Sequence, residues 1–160
     1  MPEPTQEGED TLGMLIDGKE WSANTGFDIF GPSKTKARYY TDSQVLIISA
    51  RNTIRKNSEE IEFFIDKVNA ARNYTIDSLN PFFQEPLCWQ STRFDPMTND
   101  NQSCFQAYYL TKNDSGKVNI SRLDTISNIV SGTFDMTLTN SSDETIFITN
   151  GRFDLTFQKL

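Results

Sequence analysis

The sequence predicts an all-β domain, either a two-layer antiparallel β-sandwich or a partly closed barrel of roughly nine or ten short strands ending in a C-terminal meander. Three observations carry that expectation. Apolar and polar residues alternate with period two near the C-terminus, where Phe134, Met136 and Leu138 face one way and Asp135, Thr137 and Thr139 the other. Phe153, Leu155 and Phe157 repeat the pattern against Asp154 and Thr156. The phrase Gly-x-Phe-Asp-x-Thr also occurs twice, at Gly132 and again at Gly151. Such alternation with aromatic and Thr enrichment marks strands with one buried face and one wet face.

A chain of 160 residues fits a single domain large enough to bury a two-layer core. Its hydrophobic content is low, at 36%. Twelve Phe, five Tyr and two Trp compensate with large apolar area each, which argues against a disordered chain. The formal charge of -7 opposes a general grip on nucleic acid, which needs concentrated Lys and Arg. The nearest basic cluster, Lys34, Lys36 and Arg38, is short. There is no histidine, which removes Ser-His and Cys-His nucleophile systems and imidazole-ligated zinc.

Residues 1–10 hold two prolines, four acids and a single apolar side chain, the initiator. They read as a disordered acidic linker, either a frayed terminus or a stalk to an anchor, ahead of one β domain over 11–160. Leu12 to Trp21 reads as a hairpin turned by Asp17-Gly18 in type I′ geometry, with Trp21 plugging one end of the core. The Gly-Pro-Ser run after Gly26 is a loop. Val45 to Ile48 is apolar on both faces, as in a central strand whose outer face is covered.

Ser58 to Val68 carries two patterns. Ile61, Phe64, Ile65 and Val68 have helical spacing, whereas Ile61, Phe63 and Ile65 alternate as a strand. Sequential pairing among neighbouring strands favours the strand. Asn73 to Ser78 is a short strand with Tyr74 and Ile76 inward, and Leu79 to Glu85 a loop bearing Phe82 and Phe83. Strands follow around Phe105 to Tyr109 and at Val118 to Ile120. A turn within Arg122 to Val130 leads into the closing meander, where Thr145 to Thr149 reads as a strand bounded by a turn at Asn150-Gly151.

Cys88 and Cys104 flank a polar loop. In an oxidising compartment they favour a disulfide worth about 3 kcal/mol, and in a reducing one they are two buried thiols. Asp135 and Asp154 sit on wet strand faces, where solubility is the ordinary explanation and alternation accounts for both without a carboxylate-pair site. A hydrolase needs its two acids about 5 to 9 Å apart. Asp95, Asp100 and Asp114 with Asn99, Asn101 and Asn113 are oxygen donors suited to calcium, and equally ordinary turn residues. No cofactor motif is present and no metal is expected. Trp21, Phe82, Phe83, Trp89 and Tyr108 are the candidate binding residues, an aromatic surface for sugar or peptide set against the more ordinary reading of core and sheet-face packing. No catalytic residues are assigned. No run approaches the roughly 18 apolar residues of a membrane span.

Asp17-Gly-Lys-Glu-Trp21, the stretch Gly116 to Leu138 and the ending Ile148 to Phe157 together resemble a family of uncharacterised envelope lipoproteins of Bacteroidetes-type bacteria. The resemblance implies a β-rich domain behind a short polar linker and a lipidated cysteine absent from this chain. It implies lipid anchoring to the outer membrane, facing periplasm or exterior, and a non-enzymatic accessory or binding role toward glycan, peptide or another envelope protein. No catalytic residue carries over from it. A carboxylate-based hydrolase and a lipocalin-like carrier of a small apolar ligand are the alternatives.

Overall fold

The computed structural model describes residues 1–24, 33–54, 58–76, 93–97 and 107–160. Among them are eleven strands and no helix, so none to cross a membrane. The strands are β1 (Thr11–Ile16), β2 (Lys19–Ser22), β3 (Thr35–Tyr40), β4 (Val45–Asn52), β5 (Ser58–Ile65), β6 (Asn73–Ile76), β7 (Arg93–Met97), β8 (Tyr108–Tyr109), β9 (Gly116–Asp124), β10 (Ile129–Thr139) and β11 (Thr145–Lys159).

The last strand is the hub. β11 pairs antiparallel with β1 and β10 and, in its final residues, parallel with β3. The sheet is therefore mixed rather than wholly antiparallel as expected, because β3 and β11 are distant in sequence and no hairpin fixes their direction. From β3 the pairings continue through β4, β5, β7 and β8 back to β10. The last links are thin, two residue pairs between β7 and β8 and one between β8 and β10. The sheet thus wraps over its own core without closing into an evenly bonded barrel.

Ser58–Ile65 is a strand, as sequential pairing favoured, and it lies antiparallel to β4. Asp17 and Gly18 both have positive φ, at 48° and 78°, which is the type I′ turn that joins β1 to β2. The closing meander is corrected. Asn150-Gly151 is not a turn but a bulge inside one long strand, since Phe134 pairs with Gly151 while Met136 pairs with Ile148. Asn150 takes the positive φ (52°), and its amide donates to the Asp135 carboxylate at 2.8 Å. Turn residues serve a bulge equally well, and pairing to two neighbours decides between them.

The repeated phrase has a packing explanation. Antiparallel register sets Gly132 opposite Phe153 and Gly151 opposite Phe134. A Cβ on Gly132 would lie 2.7 Å from the Phe153 ring, and one on Gly151 2.7 Å from the Phe134 ring. Each glycine therefore makes room for the other copy's phenylalanine. Phe63 of β5 meets both rings from the opposite layer, with centroids 4.9 Å from Phe134 and 6.3 Å from Phe153. β5 pairs with neither β10 nor β11, so this contact joins the two layers face to face and fills the interior between them.

Candidate functional site

Among the candidate binding residues, Trp21 is 1% exposed and opposite Met14, with its indole Nε1 donating to the Glu59 carboxylate at 2.7 Å. It plugs the core, as the hairpin reading expected, and is no platform for a ligand. Tyr108 is half-buried against the core. Burial raises its phenol above the usual value, and the carboxylates of Glu144 and Asp17 add to the rise. Phe82, Phe83, Trp89, Cys88 and Cys104 lie outside the described residues. Tyr39 and Tyr40 divide as strand alternation requires. Tyr39 is buried with its hydroxyl donating to the Val68 carbonyl at 2.6 Å, while Tyr40 faces outward and is half-buried.

The carboxylates behave differently from their reading as solubilising surface groups. Asp154 is 2% exposed, beneath the N-terminal residues. Its Oδ1 accepts from the Gly8 amide at 2.9 Å and the Ser131 hydroxyl at 2.7 Å. Its Oδ2 accepts from the Thr5 hydroxyl at 2.6 Å and the amides of Glu7 and Glu9 at 3.0 and 3.3 Å. Burial pushes this carboxyl up, but the donors outweigh it and bring it down to about 2. The acidic stretch 1–10, expected to be a disordered linker, is thus strapped across the sheet. Met1 reaches Glu20 on β2, Pro2 packs over Gly13, and Arg122 of β9 donates to the Gln6 carbonyl. Composition argued for disorder because it does not reveal that one buried carboxylate satisfies several of the arm's backbone donors.

Asp135 caps the bulge instead of partnering Asp154. Ser131 pairs with Asp154, and Asp135 stands four residues further along β10, about 13 Å away at the rise of a strand. That exceeds the spacing of a carboxylate-pair hydrolase. Asp114 accepts from the amide and hydroxyl of Thr111, at 2.9 and 2.6 Å, and holds a turn. Asn99, Asp100 and Asn101 lie outside the described residues, and Asp95 is on β7. Among the described residues no three His, Cys, Asp or Glu side chains gather as metal ligands.

The outer face of β11, β3, β4 and β5 carries a row of cations beside two depressions. Register arranges it in rows. Arg38 stands beside Ile47, which pairs with Phe64; Lys36 beside Ser49, which pairs with Glu62; and Lys34 beside Arg51, which pairs with Glu60. Tyr40 extends the β3 column past Arg38, and Thr156 and Gln158 of β11 border it on the other side. Two depressions flank β3. One of about 280 Å³ lies over β4 and β5, and one of about 390 Å³ lies between β3, β11 and Asp10. Arg51 pairs with Glu60 at 3.2 Å, and the Asp10 carboxylate accepts from the amide and hydroxyl of Thr156, both at 2.8 Å. Among the described residues, Lys34, Lys36 and Arg38 make no ion pair. The sequence showed these three as a short cluster. Their alternation within a buried-outward strand was the signal that they share one face.

These features define an all-β domain with a packed aromatic interior, a strapped N-terminus and a sheet face that bears exposed cations on β3. The chain belongs to the family described as a domain of unknown function, DUF6252, which matches residues 17–155. Neither the curated proteins nor the solved structures offered a match to this chain.

Proposed function

We propose that the chain is a non-enzymatic binding domain of the bacterial cell envelope, carried on a lipid anchor upstream of Met1 and engaging a glycan, a peptide or another envelope protein. The observation that carries this reading is the outer face of β3, β4 and β5. It is a concave sheet surface with two depressions, on which Lys36 and Arg38 are exposed while Glu60 and Phe64 of β5 are buried. Ligand sites are concave and carry a few placed polar groups, and that is the arrangement here. The envelope setting rests on the resemblance of Asp17 to Trp21, Gly116 to Leu138 and Ile148 to Phe157 to lipoproteins of Bacteroidetes-type bacteria. The aromatic packing of Phe63, Phe134 and Phe153 in the interior weighs against a lipocalin-like carrier. The separation of Asp135 from Asp154 weighs against a carboxylate-based hydrolase.

The test is a binding screen of the folded domain against glycans and peptides, paired with mass spectrometry of the natively produced protein for a lipidated N-terminal cysteine. A hit in the screen together with a lipidated cysteine supports the reading; turnover of any screened glycan or peptide would refute it. In the same native material, thiol titration is expected to find Cys88 and Cys104 unreactive, as a disulfide requires. Two reactive thiols count against export.

A further inference from the structure

We infer that the β3 ridge of Lys34, Lys36 and Arg38, with Tyr40 at its end, binds an acidic polysaccharide strand. The inference rests on the reading of this chain as a binding domain and names the ligand class. Lys36 and Arg38 are exposed and Lys34 half-buried, all on one face at alternate positions. They span about 13 Å at the rise of a strand. Like charges set this close repel one another, and none of the three makes an ion pair among the described residues. Of the nearby acids, Glu60 pairs with Arg51, Asp10 accepts from Thr156, and Glu62 stands across Ser49 from Lys36 in the same depression. In a chain of formal charge -7, a row of three cations with exposed Lys36 and Arg38 is a local positive strip with a depression on each side.

The occupant follows from charge and backbone. β3 is bonded to β4 on one edge and to β11 on the other, so the backbone groups of its paired residues are consumed. Over Ala37 to Tyr39 a peptide adding as a strand has no free edge, and recognition there falls to side chains across a sheet face. Duplex nucleic acid needs more cations than this strip holds, against an overall negative chain. A chain of sugars bearing carboxylates at intervals suits both the spaced cations and the Tyr40 ring, whose apolar face takes the C–H side of a sugar while the ammonium and guanidinium groups take the acids.

The experiment titrates the purified domain with oligogalacturonate by calorimetry at low and high salt, using dextran, polyglutamate and duplex DNA as comparison polymers. Binding to oligogalacturonate that weakens with salt is expected, with a drop of about tenfold or more in the double variant Lys36→Ala/Arg38→Ala. Tyr40→Ala should weaken binding and leave its salt dependence in place. Both cations are exposed, so circular dichroism should show the variants folded, and Lys36→Gln with Arg38→Gln serves as the milder pair. Unchanged affinity in the ridge variants overturns the inference, as does equal binding of polyglutamate or DNA. If dextran or a peptide binds and the ridge variants do not affect it, the ridge is wrong while the binding-domain reading stands. If no glycan or peptide binds, this inference falls and the binding-domain reading falls for those two ligand classes.

Discussion

Replacing Asp154 with asparagine keeps the shape of the side chain and removes the charge that five donors converge on. The amide can accept through one oxygen only, and its NH2 group would face hydrogens from Thr5, Glu7 and Glu9 or from Gly8 and Ser131. The carboxyl is lowered from 3.8 to about 2 in the folded protein, which corresponds to roughly 2.5 kcal/mol in favour of the charged form. We expect Asp154→Asn to cost about 2–4 kcal/mol at neutral pH, a fall of roughly 5–10 °C in Tm. The loss has a ceiling, because the arm can peel away and hydrate its amides. The sign with pH follows from the lowered value. The stabilisation is complete above the unfolded value of 3.8 and is lost as pH falls through about 2. Urea unfolding of both proteins should therefore show a gap at neutral pH that closes in strong acid. Hydrogen exchange at residues 7–9 should speed up in the variant. In a chain lacking residues 1–9 the same substitution should cost clearly less. A gap below about 0.5 kcal/mol, or one independent of pH and of the arm, would refute the clasp.

Further outcomes are expected from the packing. Gly132→Ala would place a Cβ 2.2 Å from the Asn119 carbonyl oxygen, and urea denaturation should show a loss of about 2–3 kcal/mol. Gly18→Ala has open space but a φ of 78°, so its cost should stay near 1 kcal/mol; equal losses in the two would contradict the ring-and-glycine interlock. Phe63→Ala should cost about 3–5 kcal/mol by calorimetric unfolding, since it removes the ring that joins the two layers. Trp21→Phe should cost about 1–2 kcal/mol by leaving the Glu59 carboxylate without its indole donor.

Period-two burial at Phe134, Met136 and Leu138 and at Phe153, Leu155 and Phe157 was readable because alternation is local. The hairpin at Asp17-Gly18 was readable for the same reason. Asn150-Gly151 was misread because a positive-φ pair is compatible with both a turn and a bulge, and only the partners across the sheet distinguish them. Asp154 was taken for a wet-face acid because its donors, Thr5 to Glu9, lie at the far end of the chain. Trp21 was rightly placed in the core and wrongly offered for binding, since an indole satisfied by Glu59 has no polar handle left for a ligand. Lys34, Lys36 and Arg38 were visible as residues, and the rows they form with Ile47, Ser49 and Arg51 became visible only through the register of β4.

The position of β11 in the pairing scheme has a consequence for folding. The segment that joins β1, β3 and β10 lies far along the sequence from the first two, and the opening residues dock on it through Asp154. Without Thr145 to Lys159 the first strand lacks its main partner and the third lacks one of its two. Such long-range closure makes for slow folding. Until it happens, strand edges that the finished sheet covers stay open to wrong partners, so refolding yield should fall as protein concentration rises.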